Sequence, residues 1–152
     1  MTVFTFDREL QVPGEPAAAW KNFTDVRQVV EWISVIGEAE ELEPMARYTA
    51  VLADKIGMFS LRADLHITVT EVAEDRGLRV HAEGQDRQVG ARIVIDGNVQ
   101  LAPTSGGTSV RVSGSYEVSG RAATLGASSI RRKGDKTLDQ FFENLSRQLS
   151  IS

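Results

Sequence analysis

A chain of 152 residues with no cysteine and a formal charge of −4 has room for one domain-sized core and excludes disulfides, thiolate chemistry and cysteine-ligated metals. Its acidic balance, with a pI near 5.2, argues against nucleic acid as a partner, because phosphate binding needs a basic footprint. No run of about 18 apolar residues is present, and Met1 to Arg8 lacks the basic start, apolar run and small-residue cleavage site of a signal peptide, so a soluble, cytoplasmic, single-domain protein spanning residues 1–152 is expected.

The first strand is predicted over residues 3–12, where Phe4, Phe6, Leu10 and Val12 share one parity and Thr5, Asp7, Glu9 and Gln11 the other. Pro13-Gly14 ends it. Pro16 suits the first turn of a helix that carries Trp20 and Phe23 on one face. A second short helix is predicted from Val26 to Ile33, behind the capping residues Thr24 and Asp25, with Val29, Val30 and Ile33 inward. Residues 37–45 are too acidic for a central strand and read as an edge; a strand from Tyr48 to Lys55 follows.

Alternation is clearest from Met58 onward. Phe59, Leu61, Ala63, Leu65, Ile67 and Val69 face one way, and Ser60, Arg62, Asp64, His66, Thr68 and Thr70 the other. After the turn Asp75-Arg76-Gly77, a strand places Leu78, Val80 and Ala82 inward, and a further strand over residues 91–101 does the same with Ile93, Ile95, Val99 and Leu101. The last strand turns Val110, Val112, Tyr116 and Val118 inward. Gly84, Gly97 and Gly114 fall inside these strands, where glycine commonly marks a bulge or a sharp bend, so the sheet is expected to curl.

The chain closes on a helix-forming stretch that begins at Gly120 and carries Leu138, Phe141, Phe142, Leu145 and Leu149 at helical spacing. Short polar turns between the strands imply antiparallel neighbours with one face covered, and this helix is the element left to cover it. The fold class is therefore α+β: a curved antiparallel sheet, two short helices and a long C-terminal helix around an apolar cavity. Charge is uneven. Residues 121–152 hold six cationic and three acidic side chains, a net of +3, which leaves −7 for the first 120.

Little in this pattern points to catalysis. His66 and His81 fall on the solvent parity, beside Asp64 and Glu83 respectively; such i, i+2 pairs supply two metal ligands at most. Glu38, Glu40, Glu41 and Glu43 read as a solvated edge that discourages strand pairing. Tyr48 and Tyr116 are the inward polar exceptions, either packing tyrosines or donors that orient a ligand carbonyl. Arg8 breaks the parity of the first strand, and either snorkels to water or meets an anionic head group. Arg131, Arg132, Lys133 and Lys136 form a solvated helix face or a contact for anionic lipid or an acidic partner.

Several motifs then line up along nearly the whole chain: Val12-Pro13-Gly14-Glu15-Pro16 with Trp20; Ile36-Gly37-Glu38-Ala39-Glu40-Glu41-Leu42; Asp54-Lys55-Ile56-Gly57-Met58-Phe59; Glu83-Gly84-Gln85; Gly97 to Pro103; Gly107-Thr108; and the tail, Gly120, Leu125-Gly126 and Asp139-Gln140-Phe141-Phe142. In their order and spacing the chain resembles the CoxG family of carbon monoxide dehydrogenase subunits, within the START/Bet v 1-like (SRPBCC) superfamily. The resemblance implies a helix-grip fold: a strand, two small helices, a six-stranded remainder of the sheet and a long C-terminal helix crossing an apolar cavity. It also implies a lipid, sterol, quinone-like or polyketide-like ligand, and association with molybdenum hydroxylases of the carbon monoxide dehydrogenase type and with their membrane attachment. Two departures stand out. Val35-Ile36-Gly37 lacks the proline of the family's Ile-Pro-Gly turn, and no extended tail suited to anchoring follows the helix.

The resulting expectation is a non-enzymatic binder of a hydrophobic small molecule, with no covalent cofactor and an isoprenoid quinone as one ligand, peripheral to the inner face of the membrane. Ligand contacts are assigned to Trp20, Phe23, Trp32, Phe59, Leu61, Leu65, Ile93, Ile95, Val112, Tyr116, Leu125 and Phe141; partner or membrane contacts to Arg131, Arg132, Lys133 and Lys136. The alternatives are a polyketide cyclase or hydrolase-like enzyme, which needs an inward acid-base pair, and a protein-interaction module using the basic helix face.

Overall fold

A computed structural model describes residues 2–56, 59–86, 88, 90–121, 123 and 126–150, without the side chains of Thr2, Ile56 and Phe59. Seven antiparallel strands form one curved sheet: β1 (Thr2–Val12), β2 (Ile36–Glu43), β3 (Arg47–Ile56), β4 (Phe59–Ala73), β5 (Gly77–Asp86), β6 (Ala91–Thr104) and β7 (Gly107–Gly120). Their spatial order is β1-β7-β6-β5-β4-β3-β2. The first two strands thus lie at opposite edges. The chain crosses between them through α1 (Pro16–Phe23) and α2 (Val26–Glu31), and α3 (Ala127–Ser150) closes the fold.

Local chemistry sets the helix ends. Pro16 occupies the first turn of α1, where its missing N–H costs nothing. Asp25 caps α2 by accepting the Gln28 backbone N–H at 3.3 Å. The closing helix begins later than the helix-forming stretch predicts: Gly120 and Gly126 have φ of 81° and 92°, outside the helical region, and α3 starts at Ala127. Nor does α3 cover the concave face alone, since Val26 and Val30 of α2 enter the same core as Ile130 of α3.

The interior falls into two packed clusters. One gathers Val30, Tyr48, Leu65, Ile67, Ile93 and Ile130 around β3 to β6. The other gathers Trp20, Trp32, Val110, Phe141, Leu145 and Leu149 around α1, β7 and the end of α3. Burying a leucine such as Leu145 contributes about 1.5–3 kcal/mol. The strand glycines do not mark bulges: Gly97 pairs with Gly114 and Leu65 with Gly84 in unbroken register. They mark close approach instead, for a Cβ on Gly84 would collide with the Asp64 carbonyl, and one on Gly114 with the Asp96 carbonyl. The register shifts lie at Gly37/Glu40, Glu41/Glu43 and Val69/Glu71.

Edge strand β2 bears out its polar reading. Glu38 pairs with Arg62 at 3.0 Å and Glu43 with Arg47 at 3.1 Å, all well exposed. Charged side chains along this edge discourage pairing with another strand.

Candidate ligand cavity

Between the two clusters and beneath the first half of α3 lies a cavity of about 250 Å3. β5, β6 and β7 supply its floor, with Val80, Ile93, Ile95, Val112 and Tyr116; α2 and its following turn supply Val29, Val30 and Ile33; α3 supplies the roof. The roof follows helical spacing: Ile130, Lys133, Gly134, Thr137, Leu138 and Phe141 recur at intervals of three and four.

Polar groups are few: Asn98 of β6, Tyr116 of β7, Asp54 of β3, and Lys133 and Thr137 of α3. Asp54 of β3 and Lys133 of α3 both reach the cavity, and Lys133 Nζ lies 3.2 Å from Asp54 Oδ1. The aspartate is only 16% exposed, the lysine 39%. The same Oδ1 accepts the Lys55 backbone N–H at 2.8 Å. Thr137 satisfies its own hydroxyl by donating to the Lys133 carbonyl at 2.9 Å. Tyr116 stacks on Phe4, with ring centroids 5.0 Å apart, and its hydroxyl lies against Gly134, where any Cβ would collide with it. Burial, and secondarily the charge of Asp135, pushes the Tyr116 phenol above its ordinary range, so it stays a neutral donor.

Of the residues assigned to ligand contact, Phe23, Leu61, Ile93, Ile95, Val112, Tyr116 and Phe141 line this cavity. Trp20, Trp32 and Leu65 do not. The two tryptophans pack into the solid cluster around Leu145, and Leu65 into the one around Tyr48 and Ile67, because strand and helix periodicity fixes the face a residue takes but not its position along that face. The Phe59 side chain and Leu125 lie outside the described residues. Tyr48 is 1% exposed and spends its hydroxyl on the Met45 backbone N–H at 2.9 Å, away from the cavity wall.

Asp54 and Lys133 escape the sequence reading as cavity residues, although both are legible there. Asp54 shares its parity with Tyr48, Ala50 and Leu52, and Lys133 falls three residues after Ile130 and four before Thr137. Lys133 therefore leaves the basic face, where Arg131, Arg132 and Lys136 remain exposed. Arg8 is tied to α3 rather than left free in water. It binds Asp139 of α3 at 2.5 Å and covers the Phe142 ring at 5.5 Å.

The histidines stand on the outer face of the sheet. His66 is exposed; His81, 36% exposed, has Nδ1 2.6 Å from Asp96 Oδ1 and Nε2 3.4 Å from Glu83 Oε2. Hydrogen bonding to Asp96 and then to Glu83 raises its pKa above 6.5. The group lies on the strand parity opposite to the cavity floor, so it does not serve as the acid-base pair that an enzyme reading requires.

Residues 9–150 match the CoxG family of carbon monoxide dehydrogenase subunits. The chain belongs to this family. No curated protein matches the CoxG chain's sequence. Among solved structures, a conserved protein from Geobacillus kaustophilus superposes with a TM-score of 0.80 at 18% identity, over 96% of this chain and 95% of that one. A START superfamily protein from Mycobacterium smegmatis gives 0.67 at 13%, over 95% and 96%, and Ara h 8.0201 gives 0.63 at 17%, over 97% and 98%. At these identities the likeness establishes the START/Bet v 1-like fold.

Proposed function

We propose that this CoxG-family protein binds an apolar small molecule in the cavity beneath α3 and carries it without transforming it. The observation that supports the reading is the wall itself: residues from both core clusters turn toward an unfilled space where a packed core would interdigitate. A void of this kind forfeits contacts that a ligand restores, at about 25 cal/mol per Å2 of apolar surface buried.

Size narrows the ligand. A volume of about 250 Å3 falls just below the roughly 300–1,000 Å3 of ordinary small-molecule sites. It accommodates one ring with short substituents or the end of a chain. A lipid or an isoprenoid quinone fits this reading when its ring or first few carbons sit inside and the remainder leaves beside α3.

Family membership supports a place beside a molybdenum hydroxylase of the carbon monoxide dehydrogenase type, as a carrier or membrane adaptor. No described helix is long and apolar enough to cross a membrane; the exposed Arg131, Arg132 and Lys136 of α3 offer a contact for an anionic bilayer or an acidic partner. Native mass spectrometry of the purified protein, followed by organic extraction, tests the first part. An extractable apolar adduct is expected; a protein that never yields one, and takes up no added quinone or lipid, contradicts it. For the second part, salt-sensitive capture of the hydroxylase or of anionic vesicles should vanish when Arg131, Arg132 and Lys136 are changed to Glu.

A further inference from the structure

The two sides of α3 meet the sheet with different chemistry. Lys133, Thr137, Gln140 and Asn144 recur at intervals of four and three, so they share one side of the helix. That side faces β3 and the turn between α2 and β2: Lys133 pairs with Asp54 at 3.2 Å, Gln140 accepts from the Ser34 hydroxyl at 2.6 Å, and Asn144 donates to the Trp32 carbonyl at 2.9 Å. The opposite side carries Arg131, Asp135, Asp139 and Phe142, again at intervals of four and three, toward β7 and β1. There Asp139 binds Arg8, whose guanidinium covers the Phe142 ring, and Tyr116, stacked on Phe4, sets its hydroxyl against Gly134. The charges that act on the Tyr116 phenol, Asp135 and Arg131, belong to this side.

Stacked rings packed into the helix close the β7 side, whereas separate polar contacts close the β3 side, with cavity wall showing between them. Thr137, Ile33 and Val35 stand between the Asp54–Lys133 and Ser34–Gln140 contacts; all three line the cavity and are half-buried. The Ala53 backbone N–H donates to the Val35 carbonyl at 2.8 Å, which sets Val35 close to Asp54. Lys133 is 39% exposed, so parting the pair leaves its ammonium in water and strands no buried cation. Parting Tyr116 from Gly134 would instead pull stacked apolar surface into water. Resting on the carrier reading above, we infer that the ligand enters and leaves between α3 and the α2–β2 turn, with the Asp54–Lys133 pair as the bar across that mouth, while the β1–β7 side stays shut.

The chain has no cysteine, so each side can be locked separately. Asp54→Cys with Lys133→Cys replaces the ion pair on one side, and Arg8→Cys with Asp139→Cys the ion pair on the other. A short methanethiosulfonate cross-linker closes each pair and a reductant reopens it. Stopped-flow mixing of the full chain with the neutral fluorophore N-phenyl-1-naphthylamine reads the on-rate. Closing 54 to 133 should slow it more than about ten-fold, reversibly, whereas closing 8 to 139 should change it by less than about two-fold. Where the 54/133 double variant does not fold, Lys133→Met carries the test: at low salt its on-rate should exceed the original protein's by about three-fold, the scale of a half-exposed ion pair, and the two should converge at high salt. Equal slowing by both cross-links, slowing by the 8–139 cross-link alone, slowing by neither, or a Lys133→Met on-rate no higher than the original's overturns the inference and leaves the carrier reading standing. No saturable binding of the fluorophore by the original protein overturns both.

Discussion

The two halves of α3 keep the same three-and-four spacing yet pack in different ways. From Ile130 to Leu138 the inward residues roof a cavity, Phe141 borders both regions, and Leu145 and Leu149 are sealed into a solid cluster with Trp20, Trp32 and Val110. The difference lies in side-chain volume and polarity. Three turns apart, Ile130, Gly134 and Leu138 stand where the second half carries Phe141, Leu145 and Leu149, so a glycine takes the place of a leucine at the middle position, with the polar Lys133 and Thr137 bordering the cavity beside it. An amphipathic stripe fixes which face turns inward, and the residues on it decide whether that face fills the interior or leaves room.

Polar straps reinforce the contrast. The second half is tied down by Arg8 to Asp139 at 2.5 Å, by Ser34 to Gln140 at 2.6 Å and by Asn144 to the Trp32 carbonyl at 2.9 Å. Among the described residues the Asp54–Lys133 pair is the strap of the first half, and both of its members line the cavity. An anchored end and a lightly tied roof suit a carrier whose ligand leaves beside α3.

The largest expected effect lies in the solid half. Leu145 is fully buried, so Leu145→Ala should cost about 2–5 kcal/mol in urea denaturation, whereas Leu138→Ala, on an existing void, should cost less than about 2 kcal/mol. Equal losses would erase the distinction between the halves. Gly134→Ala sharpens it from the other side. Propensity alone predicts a gain of about 1 kcal/mol, but the new Cβ collides with Tyr116; the expected outcome is a net loss of about 1–3 kcal/mol, and a raised Tm would mean that the tyrosine moves freely.

The outer face of the sheet provides the control, with the smallest effect. His81, held between Asp96 and Glu83, has a raised pKa, so it binds protons more tightly when folded. Its contribution is fully present below its ordinary value of 6.5 and disappears as pH rises through the elevated folded value. Denaturation across that window should show the original protein losing its stability advantage over a His81→Gln variant as pH rises, with binding of an apolar probe in the cavity unchanged in both.

Much of this is legible in the sequence. Strand parity marks the inward rows of β4 to β7, and the acidity of residues 37–45 places β2 at an edge, as found for Ile36–Glu43. The site is legible only in part. Trp20 and Trp32 look like ligand contacts because they are large and apolar, yet size is also what fills a solid cluster. Asp54 and Lys133 sit on inward positions, but each is charged and reads as surface until its partner, 79 residues away, is known. The pairing of Arg8 with Asp139 is likewise a long-range contact that no local period contains.

The central claim is that the space beneath the first half of α3 is a binding site rather than a packing defect. Ile95 lines it from the floor, and Ile95→Phe fills part of it. Titration of the original protein and of this variant with the apolar fluorophore N-phenyl-1-naphthylamine tests the claim directly. Saturable one-to-one binding by the original protein, weakened more than about ten-fold in a variant that keeps its fold, is the predicted result. No saturable binding, or equal binding by both proteins, would contradict it.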